Sequence, residues 1–529
     1  MKEKIEAGAS DLKISLLAPA LFFLIAAEIL LFFVVPPFQN PDEPQHFGLI
    51  MTITRGVENQ AEVEKELIGA LDRHRFWRFI GLGQPSPLPS RLSEIPFLMD
   101  YYPTTDFKER LLSLSLYHRL LAKTLRFLKI KEIETAYFLC RFFSLVFFFF
   151  SLLILALAWV KIIRPKNQLL AAGFLFAFFL PQLLLTAPSV SPESFCLAVG
   201  TPFFACAFAL VSGKNNLFLW LLVLSLGAIS LFVDRSLFVL PASLPFIFLL
   251  ALRPKTWKAQ VVAAMFAFIC FLFLMMGLVS FFPKESEAIF ELVRTNIGRA
   301  WKNLPQLFSL QPFNRQFILL AADSFFLRFG WMAFPPAKIF YWIWQVALIS
   351  AVLGTLIAVA RAAGELILVK IVKRKEMAQE ASDEIDWRPK RENNFEEKTT
   401  IEQINRKQNN DNQDNQRKII QEKFRLAVLT LKFIFLALVV ASIQMAAAWT
   451  FYGLGKKMAQ GRHFFPLLLP LAFLFLGGLY SLTRLVHRRA AVISLGAFLL
   501  FEFLFLGAVL WSQVVPVFHL ILKSPHAGL

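Results

Sequence analysis

Apolar runs of about 18 or more residues recur along the whole chain, each long enough to cross a hydrocarbon layer roughly 30 Å thick. In such a layer no water can bond to the backbone, so every run must satisfy its own N–H and C=O groups as a helix. About eleven runs can be placed, near 14–36, 136–160, 167–187, 194–212, 216–233, 236–252, 259–282, 337–360, 426–452, 464–482 and 490–514. The first is too long for a signal peptide and lacks a small-residue cleavage site, so it is expected to stay as an anchor. Only 17% of the 529 residues are charged, against 57% hydrophobic, too little charge to cover a soluble surface. The expectation is an all-α polytopic membrane protein embedded in a lipid bilayer.

Orientation follows from the short loops. With the N-terminus inside, the inner loops carry Lys161, Arg164 and Lys166, then Lys214, then Arg253, Lys255 and Lys258, then Arg484, Arg488 and Arg489. The short outer loops at 188–193 and 234–236 hold only Arg235 between them. That asymmetry is the positive-inside pattern. The last short outer loop breaks it with Lys456, Lys457 and Arg462. The net charge of +18 sits mainly at span ends, where lipid headgroups account for it, so nucleic acid is not an expected partner. The four cysteines, Cys140, Cys196, Cys206 and Cys270, lie in apolar runs and suggest neither a C-x-x-C site nor a disulfide framework.

Three segments are not spans. The outer loop 37–135 contains amphipathic stretches, Glu62 to Ile80 and Asp106 to Leu128, that read as helices in the interface plane. Its Tyr101, Tyr102, Tyr117 and His118 read as interfacial anchors, with Tyr102 a candidate substrate contact. A second outer loop, 283–336, interleaves aromatics and arginines in the same way. The insert 371–424 is rich in Asn, Gln, Glu and Lys and cannot bury a core, so disorder or a solvated helix is expected on the cytoplasmic side. It separates an N-terminal transmembrane module, 1–370, from a C-terminal one, 425–529.

Four polar clusters stand at the mouths of spans, all on the outer face of this topology: Asn40 to His46, Ser191-Pro192-Glu193-Ser194, Asp234-Arg235 and Gln460-Gly461-Arg462-His463. Asp42 or Glu43 can take a proton from an attacking hydroxyl, a role that contributes roughly 10²–10⁴ in rate. Together with His46 they are also a candidate ligand set for a divalent cation. Each has a plainer alternative: Asp42 with Pro41 and Pro44 reads as a helix start, and Pro192-Glu193 as helix entry. An arginine fork such as Arg235 or Arg462 suits a phosphate, and Lys456, Lys457, Gln460 and His463 surround Arg462 in sequence. Glu28 and Glu502 lie inside spans, where a carboxyl must face the bundle interior or find a partner. There is no Walker-type loop, H-E-x-x-H or G-x-S-x-G, so ATP is not an expected partner.

A first span followed by a long outer loop opening on Pro41-Asp42-Glu43-Pro44-Gln45-His46-Phe47 resembles the integral-membrane glycosyltransferases of the GT-C fold. These include protein O-mannosyltransferases and bacterial aminoarabinose transferases. It is more closely similar to a family of bacterial membrane proteins thought to share that fold, with a P-x-D-E-x-x-H-like first motif and a late Gln-Gly-Arg-Tyr-like motif. Here His463 stands in the tyrosine position, and Ser191-Pro192-Glu193 resembles the family's Asn/Ser-Pro-Asp turn with Glu for Asp. The resemblance implies a sugar donor on a polyprenyl phosphate, Asp42 as base, inversion at the anomeric carbon, and cations at Arg462, Lys456 and Arg235 on the leaving phosphate. It also implies a bacterial inner membrane with the site on the extracytoplasmic face. From the residues alone, a transporter or flippase of lipid-linked saccharides using Glu28 and Glu502 stays open beside it, as do a polysaccharide polymerase or ligase and a non-catalytic assembly factor.

Overall fold

The computed structural model describes residues 21–40, 42–79, 84–95, 115–158, 180–214, 216–252, 269, 338–385, 398–449, 461–486 and short pieces between 497 and 508. Among these residues the ordered elements are all helical. The chain runs through α1 (Leu21–Val34), α2 (Glu43–Arg55), α3 (Gln60–Arg73), α4 (Leu116–Phe127), α5 (Ile133–Ala158), α6 (Glu193–Val211), α7 (Leu217–Val233), α8 (Val239–Leu252), α9 (Lys338–Ile385), α10 (Lys398–Ala448) and α11 (Leu468–Thr483), with 3₁₀ turns at Arg235–Phe238 and Gly461–Leu467.

Five helical segments, Ile133–Leu155, Glu193–Val211, Lys338–Lys375, Gln416–Ala448 and His463–Thr483, are long and apolar enough to cross a bilayer. Three shorter apolar helices are α1, α7 and α8. Of the other runs expected to span, 167–187, 259–282 and 490–514 fall largely outside the described residues. The fold is therefore that of a helical membrane-embedded protein.

The most enclosed helix is α6. Apart from Glu193 and Phe195 it is buried along its length, as expected of a helix that is apolar on every side. Around it pack α5, α7, α8, α10, α11 and both 3₁₀ turns. Gly200 permits a close approach of the Gly461–Leu467 turn, since a Cβ there would lie 2.8 Å from the Pro466 carbonyl oxygen. A second close crossing joins α9 to α11. A Cβ on Gly354 would run into the Gly478 carbonyl oxygen, and one on Gly478 into that of Ala351. Small residues at such a crossing let two backbones touch where lipid offers no hydrophobic drive. Thr355 Oγ1 bridges the pair, donating to the Ala351 oxygen at 2.9 Å and lying 3.3 Å from that of Leu474.

The first loop departs from the expected interface-plane helices. The apolar stripes of α3 and α4 are present, but Val63, Leu67 and Leu71 on one and Leu121 and Leu125 on the other are buried in a separate core with Phe47, Ile50 and Met51 of α2. A stripe that finds a protein partner this close has no need of the membrane surface. Tyr117 and His118 are likewise buried rather than anchoring at an interface. Phe127, at 84% exposure, remains available to lipid. In the polar insert, α9 continues to Ile385 and α10 begins at Lys398, so the chain is helical on both sides of 386–397.

Candidate functional site

The first polar cluster opens in strained backbone. Phe38 and Asp42 both have positive φ, 66° and 61°, a conformation uncommon for residues with a Cβ and a true outlier for a bulky one. Packing holds Phe38 there: its ring lies 4.2 Å from that of Tyr137, and its N–H donates to the Tyr137 hydroxyl at 2.8 Å. Asp42 occupies the N-cap position of α2 but makes no side-chain cap. It is 5% exposed, so its carboxyl belongs to the interior of the loop and not to a solvated helix start.

Glu43 has a different character. Its Oε1 accepts from the Val190 N–H at 2.9 Å, and its Oε2 from the Tyr137 hydroxyl at 2.8 Å and the Asn40 N–H at 3.1 Å. Arg141 Nε lies 3.8 Å from Oε1, with both side chains fully enclosed. Arg141 also donates from Nε to the Pro188 oxygen and from Nη1 to that of Val35, each at 2.9 Å. One carboxylate and one guanidinium thus tie the end of α1, the start of α2, the middle of α5 and the 188–190 turn into one knot. Sequence reasoning missed Arg141 and Tyr137. The signal was an arginine inside an apolar run, which calls for a buried partner.

The knot brings the second cluster to the first. Pro192 caps α6 and Glu193 sits in its first turn, the plainer of the two readings of that segment. Ser194 and Ser189 bond back to the Ala187 and Thr186 oxygens. The charge of Glu193 reaches Tyr117, as does that of Glu43. The third and fourth clusters come together beside α6. Asp234 ends α7, Arg235 opens one 3₁₀ turn and Arg462 lies in the other, and these turns pack on each other and on α6. His463 accepts from Gln444 Nε2 through its carbonyl. Tyr102, Lys456, Lys457, Gln460 and Glu502 lie outside the described residues. Glu28 is fully buried, and among the described residues neither of its carboxyl oxygens has a hydrogen-bond partner.

A divalent cation does not fit Asp42, Glu43 and His46 as a set. Both oxygens of Glu43 already accept protein donors, and His46 Nδ1 faces His118 Nε2 at 2.9 Å. Among the described residues no group of three His, Cys, Asp or Glu side chains is placed to hold a metal.

His118 is buried at 4% exposure. Burial first, then the neighbouring His46 and Arg119, hold it well below the ordinary histidine value of 6.5. An unfolded chain therefore binds a proton here before the folded one does, and stability must fall as pH drops below 6.5. The protection of α4 amides, their exchange rate relative to the intrinsic rate at each pH, is expected to fall on acidification through that value, and His118→Gln is expected to blunt the response. His74, lowered chiefly by its own burial, adds a smaller effect of the same sign.

Taken together, the fold and this cluster define a helical membrane-embedded protein with two buried acids, Asp42 and Glu43, at the head of α2. Comparison with known proteins finds no matching family model, no matching curated protein and no matching solved structure.

Proposed function

We propose that the protein is a membrane glycosyltransferase that moves a sugar from a polyprenyl-phosphate donor to an acceptor on the extracytoplasmic face. The observation that carries this reading is the pairing of polar segments far apart in sequence: Glu43 of the first accepts from Val190 beside the second, and the turns that carry Arg235 and Arg462 pack on each other and on α6. Asp42 is the base that takes the acceptor hydroxyl's proton. The new bond to the anomeric carbon forms with inversion, and the bond to phosphate breaks with its electron pair on the leaving oxygen. Arg462 and Arg235, from two turns that touch, together with Lys456 and Lys457, offset the charge that grows there, as preorganised cations do best in a dry site. Glu43 is a structural acid in this scheme and holds the loop that carries Asp42. The inner membrane of a bacterium is the expected setting.

The test is transfer of a radiolabelled sugar from polyprenyl phosphate to candidate acceptors by the protein in liposomes. Asp42→Asn is expected to slow transfer by about 10²–10⁴-fold with the fold intact. Transfer at the wild-type rate would remove Asp42 as the base. A second reading, movement of lipid-linked saccharides between leaflets, draws on buried Glu28. It predicts leaflet exchange without cleavage of the sugar–phosphate bond, lost in Glu28→Gln.

A further inference from the structure

One helical turn beyond Asp42, His46 points to a histidine of another helix. Its backbone N–H donates to the Asp42 oxygen at 3.0 Å, and its Nδ1 lies 2.9 Å from His118 Nε2. His118 Nδ1 in turn lies 2.7 Å from Ser115 Oγ. The two rings sit 5.1 Å apart, centre to centre. His118 is buried and His46 is only half-buried, so the series runs from the loop interior toward the more open side of α2.

We propose that His46 is a proton acceptor of this site and that His118 is its positioning residue. In the neutral pair a single proton lies between the facing nitrogens. When it rests on His46 Nδ1, His118 Nε2 accepts it, His118 Nδ1–H donates to Ser115, and the lone pair of His46 is on Nε2. A proton arriving at Nε2 makes His46 an imidazolium whose Nδ1–H still meets a neutral acceptor. The hydrogen bond to the charged form favours that form. The surroundings direct the charge outward. Arg119 on α4 adds positive charge near the inner ring, while Glu43 on the α2 side and Glu193 at the head of α6 place negative charge near the neighbouring Tyr117. From α5, Tyr137 and Arg141 are already engaged with Glu43, and Cys140 faces Tyr117.

This inference rests on the sugar-transfer reading for its place in a reaction. There the proton leaving the acceptor O–H bond passes from the Asp42 carboxylate to His46 Nε2, and from there to water. The carboxylate is thereby restored for the next turnover, and the phosphate leaves with the electron pair of the broken bond.

The test uses the full chain in liposomes and follows exchange of each histidine's ring C2 proton by mass spectrometry across pH. In wild type, His46 is expected to take up its proton before His118. In His118→Phe, the His46 midpoint is expected to fall by about one pH unit, and His118→Gln, whose amide oxygen can accept from Nδ1–H, should recover most of that shift. The acid limb of the transfer rate should move with the His46 midpoint in the same variants. Equal His46 midpoints in wild type and His118→Phe, first protonation at His118, or an acid limb that ignores the shift would each overturn the proposal. Coupled midpoints in a protein that transfers no sugar would defeat the transferase reading and leave the histidine pair standing. Transfer that needs Asp42 but shows uncoupled histidines would do the reverse.

Discussion

Glu43→Ala is expected to destabilise the protein by about 3–5 kcal/mol, the range for removing one partner of a buried ion pair. The variant would leave the fully buried Arg141 guanidinium without its counter-charge, and the Val190 N–H, Asn40 N–H and Tyr137 hydroxyl without their acceptor. Glu43→Gln keeps the shape but turns an amide donor toward at least one of those donors, so it should recover little. The decisive measurement is a double-mutant cycle in detergent unfolding. Arg141→Met alone should also be costly, because it strands the carboxylate. The pair Glu43→Ala with Arg141→Met should cost less than the sum of the two, since both charges then leave together. Simple additivity would mean that the two groups do not depend on each other. The same experiment separates neighbours in sequence: Asp42→Asn should reduce transfer and spare stability, while Glu43→Ala should reduce stability first.

Gly354→Leu and Gly478→Leu are each expected to cost more than about 3 kcal/mol, above the usual range for an overpacked site. The added atoms would meet backbone, which cannot swing aside as a side chain can. Relief requires α9 and α11 to separate, with loss of the Thr355 bridge and of the aromatic packing of Trp344 against Phe475 at 5.6 Å. Gly364 and Gly477 provide the control, because nothing lies within 4 Å of a Cβ at either. Alanine at those two positions should leave the unfolding midpoint unchanged, or raise it slightly through the helical preference of alanine. If leucine at 354 were as harmless as alanine at 477, the close crossing would be wrong.

Much of the helical framework was legible because its cause is local. A run of apolar residues needs no partner to be recognised, and Pro44 with Glu43 in the first turn marks the start of α2. The amphipathic stripes of α3 and α4 were equally visible. What covers them was not, because periodicity shows that a face will be buried without saying against what. The site divides along the same line. Asp42 and Glu43 are adjacent and equally acidic in sequence, yet one sits in a left-handed turn and the other holds three distant groups. That difference lies in Arg141, Tyr137 and Val190, contacts 94 to 147 residues away for the carboxylate's own hydrogen bonds. No local pattern encodes pairings over such distances. The His46–His118 contact, 72 residues apart, was hidden for the same reason.

The reach of that knot also sets a timetable for biosynthesis. Glu43 and Val190 are 147 residues apart, which a ribosome adding about 5–20 residues per second covers in roughly seven to thirty seconds. Throughout that interval the carboxylate has been made but its last amide has not. The newborn loop must therefore wait in water, or in the keeping of the insertion machinery, until the sixth helix begins to enter and its entrance turn arrives to close the seal.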